Sequence, residues 1–129
     1  MNRFINRLMY RAWVLVENMK EIKYVMIYFG EMGTKEFRDF PLNSPDVKDI
    51  MQTTCWTDVR DRTIYEKDIL EYEGKRCTLF FNIHKGEYQI LHMEGSFEKF
   101  DAEKAKFSRV IGNIYESPYK LVKRKSWNL

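Results

Sequence analysis

The sequence is short of the residues and patterns that most enzyme sites and membrane segments require. Only two cysteines and two histidines occur among 129 residues, and the six glycines are scattered rather than gathered in a phosphate-binding loop. No apolar run approaches the roughly 18 residues that a membrane-spanning helix needs, and no Gly-x-Ser-x-Gly elbow is present. These absences argue against a nucleotide-dependent enzyme, a serine hydrolase and a membrane-spanning protein.

The two cysteines, Cys55 and Cys77, also bear on where the protein works. No basic segment followed by an apolar run and a small-residue cleavage site stands at the N-terminus. A chain of this kind is expected to stay in the reducing cytoplasm, where thiols seldom join. We therefore predict a cytoplasmic protein in which both cysteines are free and act as small apolar side chains.

The residues available for catalysis are few. His84 and His92 lie eight residues apart, and a zinc site would need further Cys, Asp or Glu ligands at compatible positions. Cys55 with a histidine, as nucleophile and base, stays open, although no positive feature supports this pair. We predict a protein that is not an enzyme and that holds no metal and no cofactor.

The chain does have enough apolar side chains for a stable core. Apolar residues make up 44% of the sequence and aromatic residues 16%, and a chain of this length buries roughly two thirds of its unfolded surface. We predict a single domain over residues 1–129, in which residues 1–8 and 119–129 are peripheral basic tails.

The charge is distributed unevenly along the chain. Residues 1–12 and 118–129 hold seven basic residues and no acid, so the net charge of +3 leaves −4 for residues 13–117. If the two ends converge in the fold, they form a basic patch that can meet phosphate groups. The alternative is that the ends are solvated tails.

Short strand signals separated by turns dominate the sequence. Residues 9–16 and 22–29 mix aromatic and β-branched side chains, which favours two strands joined as a hairpin across residues 17–21. A helix over residues 3–20 is the alternative, because some of its apolar residues also fit helical spacing. Ser44, Pro45 and Asp46 have the chemistry of a helix start and predict a short helix over residues 45–51.

The second half of the chain predicts further strands. Residues 76–93 form a predicted hairpin that turns at Lys85-Gly86, and a strand precedes it, entering Tyr72. Residues 98–106, rich in Glu, Lys and Ala, predict a surface helix. Residues 107–115 predict a closing strand in which Gly112 marks a bulge or bend.

Three separated motifs resemble the YopX family, in the family's order. They are Tyr10-Arg11-Ala12-Trp13, Ile64-Tyr65-Glu66-Lys67-Asp68-Ile69 and Val110-Ile111-Gly112-Asn113-Ile114-Tyr115-Glu116-Ser117-Pro118. Met51-Gln52-Thr53-Thr54 also matches the stretch that leads into the central motif. The resemblance implies a phage or prophage setting and a mainly β fold, a mixed sheet curled into a buckled pseudo-barrel with one or two short helices. It implies no established activity.

The chain departs from the family pattern at three places. Cys55-Trp56 stands where the family usually has a glycine after the Met-Gln segment, and Arg60-Asp61-Arg62 stands where it usually has an Asn-Gly or Asp-Gly turn. Lys67 replaces the usual glycine between Glu66 and Asp68. These departures leave the geometry of loop 55–63 open.

The candidate site residues form two groups. The motif residues are interpreted as structural, with Glu66 and Asp68 accepting turn amides rather than holding a cation; this group is Arg11, Trp13, Tyr65, Glu66, Asp68, Gly112, Asn113 and Tyr115. The candidate binding residues are an aromatic anchor with a charged rim in loop 55–63 and a basic, aromatic C-terminal segment. They are Trp56, Asp58, Arg60, Arg62, Lys123, Arg124, Lys125 and Trp127.

These features favour a phage or prophage accessory protein that acts by binding a host or phage protein, as an inhibitor of a host defence or host process. A nucleic-acid-binding regulatory protein is the alternative, and an enzyme of unrecognised type is more remote. Self-association is compatible with each, since edge strands of an incompletely closed sheet invite pairing. No membrane partner is expected.

Overall fold

The fold is mainly β, as the sequence predicts. The structure is a computed structural model that describes residues 9–17, 19–29 and 45–121. Of these described residues, 59% lie in strands and 8% in helices. The chain divides into two compact units, residues 1–55 and 56–129, which are described separately below. The single domain over residues 1–129 stays a prediction.

Nine strands and two short helical segments make up the described residues. In chain order they are β1 (Tyr10–Glu17), β2 (Ile22–Phe29), β3 (Val47–Thr57), β4 (Thr63–Tyr65), β5 (Asp68–Tyr72), β6 (Lys75–Asn82), β7 (Glu87–His92), β8 (Phe97–Lys99), α1 (Ala102–Ala105), β9 (Arg109–Asn113) and a 3₁₀ helix (Pro118–Leu121).

The first unit is built on a long antiparallel hairpin. β1 pairs with β2 without interruption, from Tyr10 opposite Phe29 to Glu17 opposite Ile22. The other edge of β1 pairs with β3, antiparallel, as far as Val14. The strand order is therefore β2-β1-β3. The predicted hairpin is confirmed, and the helical alternative for residues 3–20 is wrong over β1.

One face of this hairpin is apolar and buried. Ala12, Val14 and Phe29 are almost fully buried, and four partly buried side chains pack against them: Tyr10, Val16, Ile27 and Val47. β-branched and aromatic side chains suit a pleated, half-buried surface, which is why these residues form strands.

The second unit contains a five-stranded antiparallel sheet in the order β8-β7-β6-β5-β9. Its predicted hairpin is confirmed, with β6 and β7 paired from Cys77 opposite His92 to Asn82 opposite Glu87. β5 turns into β6 through Glu73 (φ 51°) and Gly74 (φ 74°), the two positive φ values that a type I′ turn requires. The hydrophobic core of the second unit contains Ile64, Leu70, Tyr72, Cys77, Leu79, Ile90, Phe100, Ala105 and Val110.

Two helix predictions need correction. The helix over residues 45–51 is wrong, because only a turn at residues 45–46 precedes β3. The local capping signal is outweighed by pairing with β1, where Met51 lies opposite Arg11 and is fully buried. The helix over residues 98–106 shortens to α1, because Phe97–Lys99 pairs with β7 as strand β8.

Candidate functional site

The loop between β3 and β4, residues 58–62, is held by one buried carboxylate. Asp58 is only 5% exposed. Its Oδ1 accepts the N–H groups of Arg60 (2.9 Å) and Arg62 (2.8 Å), and its Oδ2 accepts the N–H of Val110 in β9 (2.8 Å). The N–H of Asp58 in turn donates to the Arg62 carbonyl at 2.9 Å. A single side chain therefore closes the loop and fixes it to the sheet.

The turn that follows α1 is held beside this loop. Asp101 caps α1 by accepting the N–H of Lys104 at 2.9 Å. Ser108 closes the turn, because its N–H and its Oγ both donate to the Ala105 carbonyl, at 3.0 and 2.7 Å. The N–H of Val59 donates to the Ser108 carbonyl at 2.9 Å. Loop 58–62 and turn 106–108 are thus joined through main-chain atoms.

Together the loop and the turn present two apolar side chains to solvent. Val59 is 62% exposed and Phe107 is 73% exposed. Arg60, Arg62 and Lys106, beside them in the chain, are exposed as well. An exposed aromatic among cations is the composition that binding hot spots favour. We call these five residues the Val59–Phe107 surface.

The local charge of this surface is positive. Asp61 is exposed and is the one acid in residues 59–62 and 106–107, so the two segments carry a net charge of +2. One guanidinium N–H of Arg62 donates to the Val110 carbonyl at 3.3 Å, which orients that cation. Such a surface complements an apolar patch that carries carboxylates.

Trp56 and Asp58 are not placed as the sequence analysis expected. β3 continues through Thr57, so Trp56 lies in a strand rather than in a loop. Its ring packs 5.4 Å from Tyr88 and 6.1 Å from Phe100, between ring centroids, at the side of the core. Asp58 is buried rather than part of an exposed rim. Arg60 and Arg62 are exposed as predicted.

The remaining candidate binding residues lie outside the described residues; they are Lys123, Arg124, Lys125 and Trp127. Their role in binding stays a prediction. Phe107 was missed because the pattern around it favoured a strand. Only the main-chain hydrogen bond from Val59 to Ser108 shows that the loop and the turn are adjacent.

The N-terminal motif packs inside the first unit. Arg11 is 2% exposed, and its guanidinium lies 5.9 Å from the ring centroid of Tyr28. One guanidinium N–H donates to the Tyr28 hydroxyl at 3.5 Å. Trp13 stacks on Tyr24 with centroids 5.7 Å apart. These contacts agree with a structural role for both motif residues.

The central motif is a turn closed by its own aspartate. Asp68 is 1% exposed, and its Oδ2 accepts the N–H of Tyr65 at 2.8 Å. This contact supports the prediction that Asp68 accepts a turn amide. Glu66 is half-buried within the turn, and its own role stays a prediction.

The C-terminal motif is a tight turn after β9. Asn113, 3% exposed, accepts the N–H groups of Tyr115 (3.0 Å) and Glu116 (2.8 Å) through its Oδ1. Gly112 lies so close to Ser117 that an added Cβ would stand 2.7 Å from its Cβ and Oγ. Glycine at position 112 is therefore required by space, and the structural role of the motif as a whole stays a prediction.

The three departures from the family pattern all keep a left-handed backbone. Cys55 has φ 67°, Asp61 has φ 65° and Lys67 has φ 68°. Glycine adopts this region freely, whereas side chains other than Asn and Asp seldom do. The chain therefore retains turn geometry suited to glycine at these positions without having glycine.

A partly buried polar cluster in the second unit contains His92, Glu98 and Lys104. The Nε2 of His92 is 2.9 Å from Glu98, and the Lys104 ammonium is 3.0 Å from the other oxygen of Glu98. Hydrogen bonds from His92 and Lys104 lower the pKa of Glu98. Cys77, opposite His92, is fully buried, and burial raises its pKa to about 12, which disfavours the nucleophilic thiolate.

Metal-binding clusters and membrane-spanning helices were sought in the described part of the chain. Residues 9–17, 19–29 and 45–121 contain no group of three or more His, Cys, Asp or Glu side chains placed to hold a metal ion. Within the same ranges, no helix is long and apolar enough to cross a membrane.

Comparison with protein-family models gives a match. The family model described as YopX protein matches residues 9–122, which include all three motifs. No curated protein matches the chain significantly.

Proposed function

The chain belongs to the YopX family, and from that premise we propose that it is a non-enzymatic accessory protein of a phage or prophage. In this proposal it works in the host cytoplasm by binding a host or phage protein through the Val59–Phe107 surface. The phage setting rests on the family resemblance. The binding role rests on the surface itself.

The observation that carries the proposal is the exposure of two apolar side chains on fixed segments. Phe107 is 73% exposed and Val59 62%, while the segments below them are held by Asp58 and Ser108. A side chain that is already positioned loses little freedom when a partner covers it. Aromatic residues and arginine are enriched at protein–protein interfaces relative to the rest of the surface.

Covering Phe107 would make a measurable contribution to the free energy of binding. Fully burying a phenylalanine side chain contributes about 1.5–3 kcal/mol, so covering the exposed part of Phe107 contributes about 2 kcal/mol. That corresponds to roughly 30-fold in affinity. The three cations add attraction to an acidic partner and increase the association rate.

The test is a pull-down with the tagged full-length protein from host cells, with and without phage infection. The extract is treated with nuclease and washed at two salt concentrations. We expect a stoichiometric protein that survives nuclease, that is retained by Ile83→Ala and that is lost with Phe107→Ala. Ile83 is the matched control, because it is 77% exposed and lies in the β6–β7 turn.

Other outcomes would contradict the proposal. If Phe107→Ala and Ile83→Ala both lost the captured protein, or both retained it, the Val59–Phe107 surface would not be the binding site. Recovery of nuclease-sensitive material alone, with affinity that falls steeply as salt rises, would favour the nucleic-acid alternative.

A further inference from the structure

The outer edge of β2 has unusual properties for the edge of a sheet. Among the described strands, β2 lies at the end of the order β2-β1-β3. It is eight residues long, contains no proline, and pairs with β1 without a bulge. Proteins usually protect an edge with proline, a bulge, charged side chains such as lysine, or a very short strand. β2 has no proline and no bulge and is not short, and Lys23 is its one charged side chain.

The one charged residue of β2 is neutralised. Lys23 forms an ion pair with Glu21 at 3.1 Å. Its neighbours Ile22 and Tyr24 are 63% and 40% exposed. Among the residues that the structure describes, the edge therefore offers main-chain hydrogen-bonding groups between exposed apolar side chains, and the Lys23–Glu21 pair carries no net charge that would repel another strand.

The end of the β1–β2 hairpin is also neutral as a whole. Glu17 and Glu21 offset Lys20 and Lys23, so two copies of this hairpin approach one another without net repulsion. β1 pairs with β3 as far as Val14, and the N–H of Leu15 donates to the Asp46 carbonyl at 2.9 Å. Beyond Leu15 the hairpin is a two-stranded ribbon among the described strands. Two-stranded ribbons are marginally stable in water until further strands or a packing surface join them.

We propose that β2 pairs with β2 of a second copy of this chain, antiparallel, to form a two-fold symmetric dimer. The segment that pairs is residues 23–27. A two-fold axis at Val25 places Lys23 opposite Ile27 and Tyr24 opposite Met26 of the second copy. No like charges then stand opposite one another, and apolar cross-strand pairs stabilise the sheet.

Sedimentation equilibrium of the full chain over a series of concentrations tests the dimer. The wild-type protein is expected to approach twice its monomer mass of 15.7 kDa. Tyr24→Lys adds an unpaired cation to the edge and is expected to weaken the dimer at least tenfold. Ile83→Lys adds the same charge at an exposed site in the second unit, and this control is expected to leave the dimer intact.

A second measurement keeps the test decisive if Tyr24→Lys does not fold. Hydrogen exchange of the β2 amides is expected to slow as the wild-type concentration rises, and Ile22→Lys is expected to remove that dependence. A wild-type mass of 15.7 kDa at every concentration up to about 1 mM overturns the proposal. So does a dimer that both Tyr24→Lys and Ile22→Lys leave intact, or exchange at β2 that does not depend on concentration.

Discussion

Replacing Asp58 by asparagine tests how the candidate surface is held. Asn keeps one acceptor oxygen, and if that oxygen takes the Oδ1 position it still accepts from Arg60 and Arg62. The amide nitrogen then faces the N–H of Val110, which lies 2.8 Å from Oδ2 in the wild-type protein. That contact changes from a hydrogen bond to two opposed donors.

The expected loss follows from these three contacts. A buried N–H without a partner costs about 1–3 kcal/mol, and each of the other two bonds weakens because its acceptor is no longer charged. We expect Asp58→Asn to lower the free energy of unfolding by about 2–4 kcal/mol. For a chain of this size that lowers the midpoint of thermal unfolding by on the order of 10 °C.

Urea unfolding followed by circular dichroism measures the effect. Asp61→Asn is the matched control: Asp61 is exposed in the same loop, and its φ of 65° is one that asparagine tolerates as well as aspartate. We expect its free energy of unfolding to stay within about 0.5 kcal/mol of wild type. If Asp58→Asn were as stable as Asp61→Asn, the three bonds to Asp58 would not be what holds the loop.

Three further substitutions test other parts of the fold. Gly112→Ala should lower the free energy of unfolding by about 1–3 kcal/mol in urea, because its Cβ meets Ser117, and Ser117→Gly in the same chain should restore most of it; no rescue would refute the steric explanation. Lys67→Gly should be more stable than Lys67→Ala by about 1 kcal/mol, because φ is 68° at this position, and equal midpoints would contradict that strain. Glu98 has a pKa below its ordinary 4.5 in the folded protein, chiefly through the hydrogen bond from His92, so its stabilising contribution should be present above about pH 4.5 and lost as the pH falls through the folded pKa. In unfolding curves measured between pH 7 and pH 3, the free energy of unfolding should depend less steeply on pH in Glu98→Gln than in the wild-type protein. The same pH dependence in both proteins would refute this role of Glu98.

Much of the strand content could be predicted from the sequence, because β-branched and aromatic residues cluster in short runs. The hairpins β1–β2 and β6–β7 need only local information of this kind. The prediction of a helix over residues 45–51 was wrong because it relied on the local capping signal of Pro45 and its neighbours. β3 forms instead through pairing with β1, which lies more than thirty residues earlier in the chain.

The candidate surface could be predicted only in part, because contacts between residues far apart in the chain determine its geometry. Arg60 and Arg62 were found because charged residues in a turn are usually exposed. Asp58 was misplaced because its third partner, Val110, is 52 residues away. Phe107 was missed because nothing in the sequence shows that β9 starts only at Arg109, which leaves Phe107 in a turn beside Val59.

The role of the Val59–Phe107 surface is tested most directly by photo-cross-linking in phage-infected cells. The photoreactive residue p-benzoylphenylalanine replaces Phe107 in one full-length variant and Ile83, equally exposed, in the other. We predict that one protein cross-links from position 107 and not from position 83. Cross-links to nucleic acid alone, the same products from both positions, or no product from position 107 would contradict binding of a protein partner through this surface.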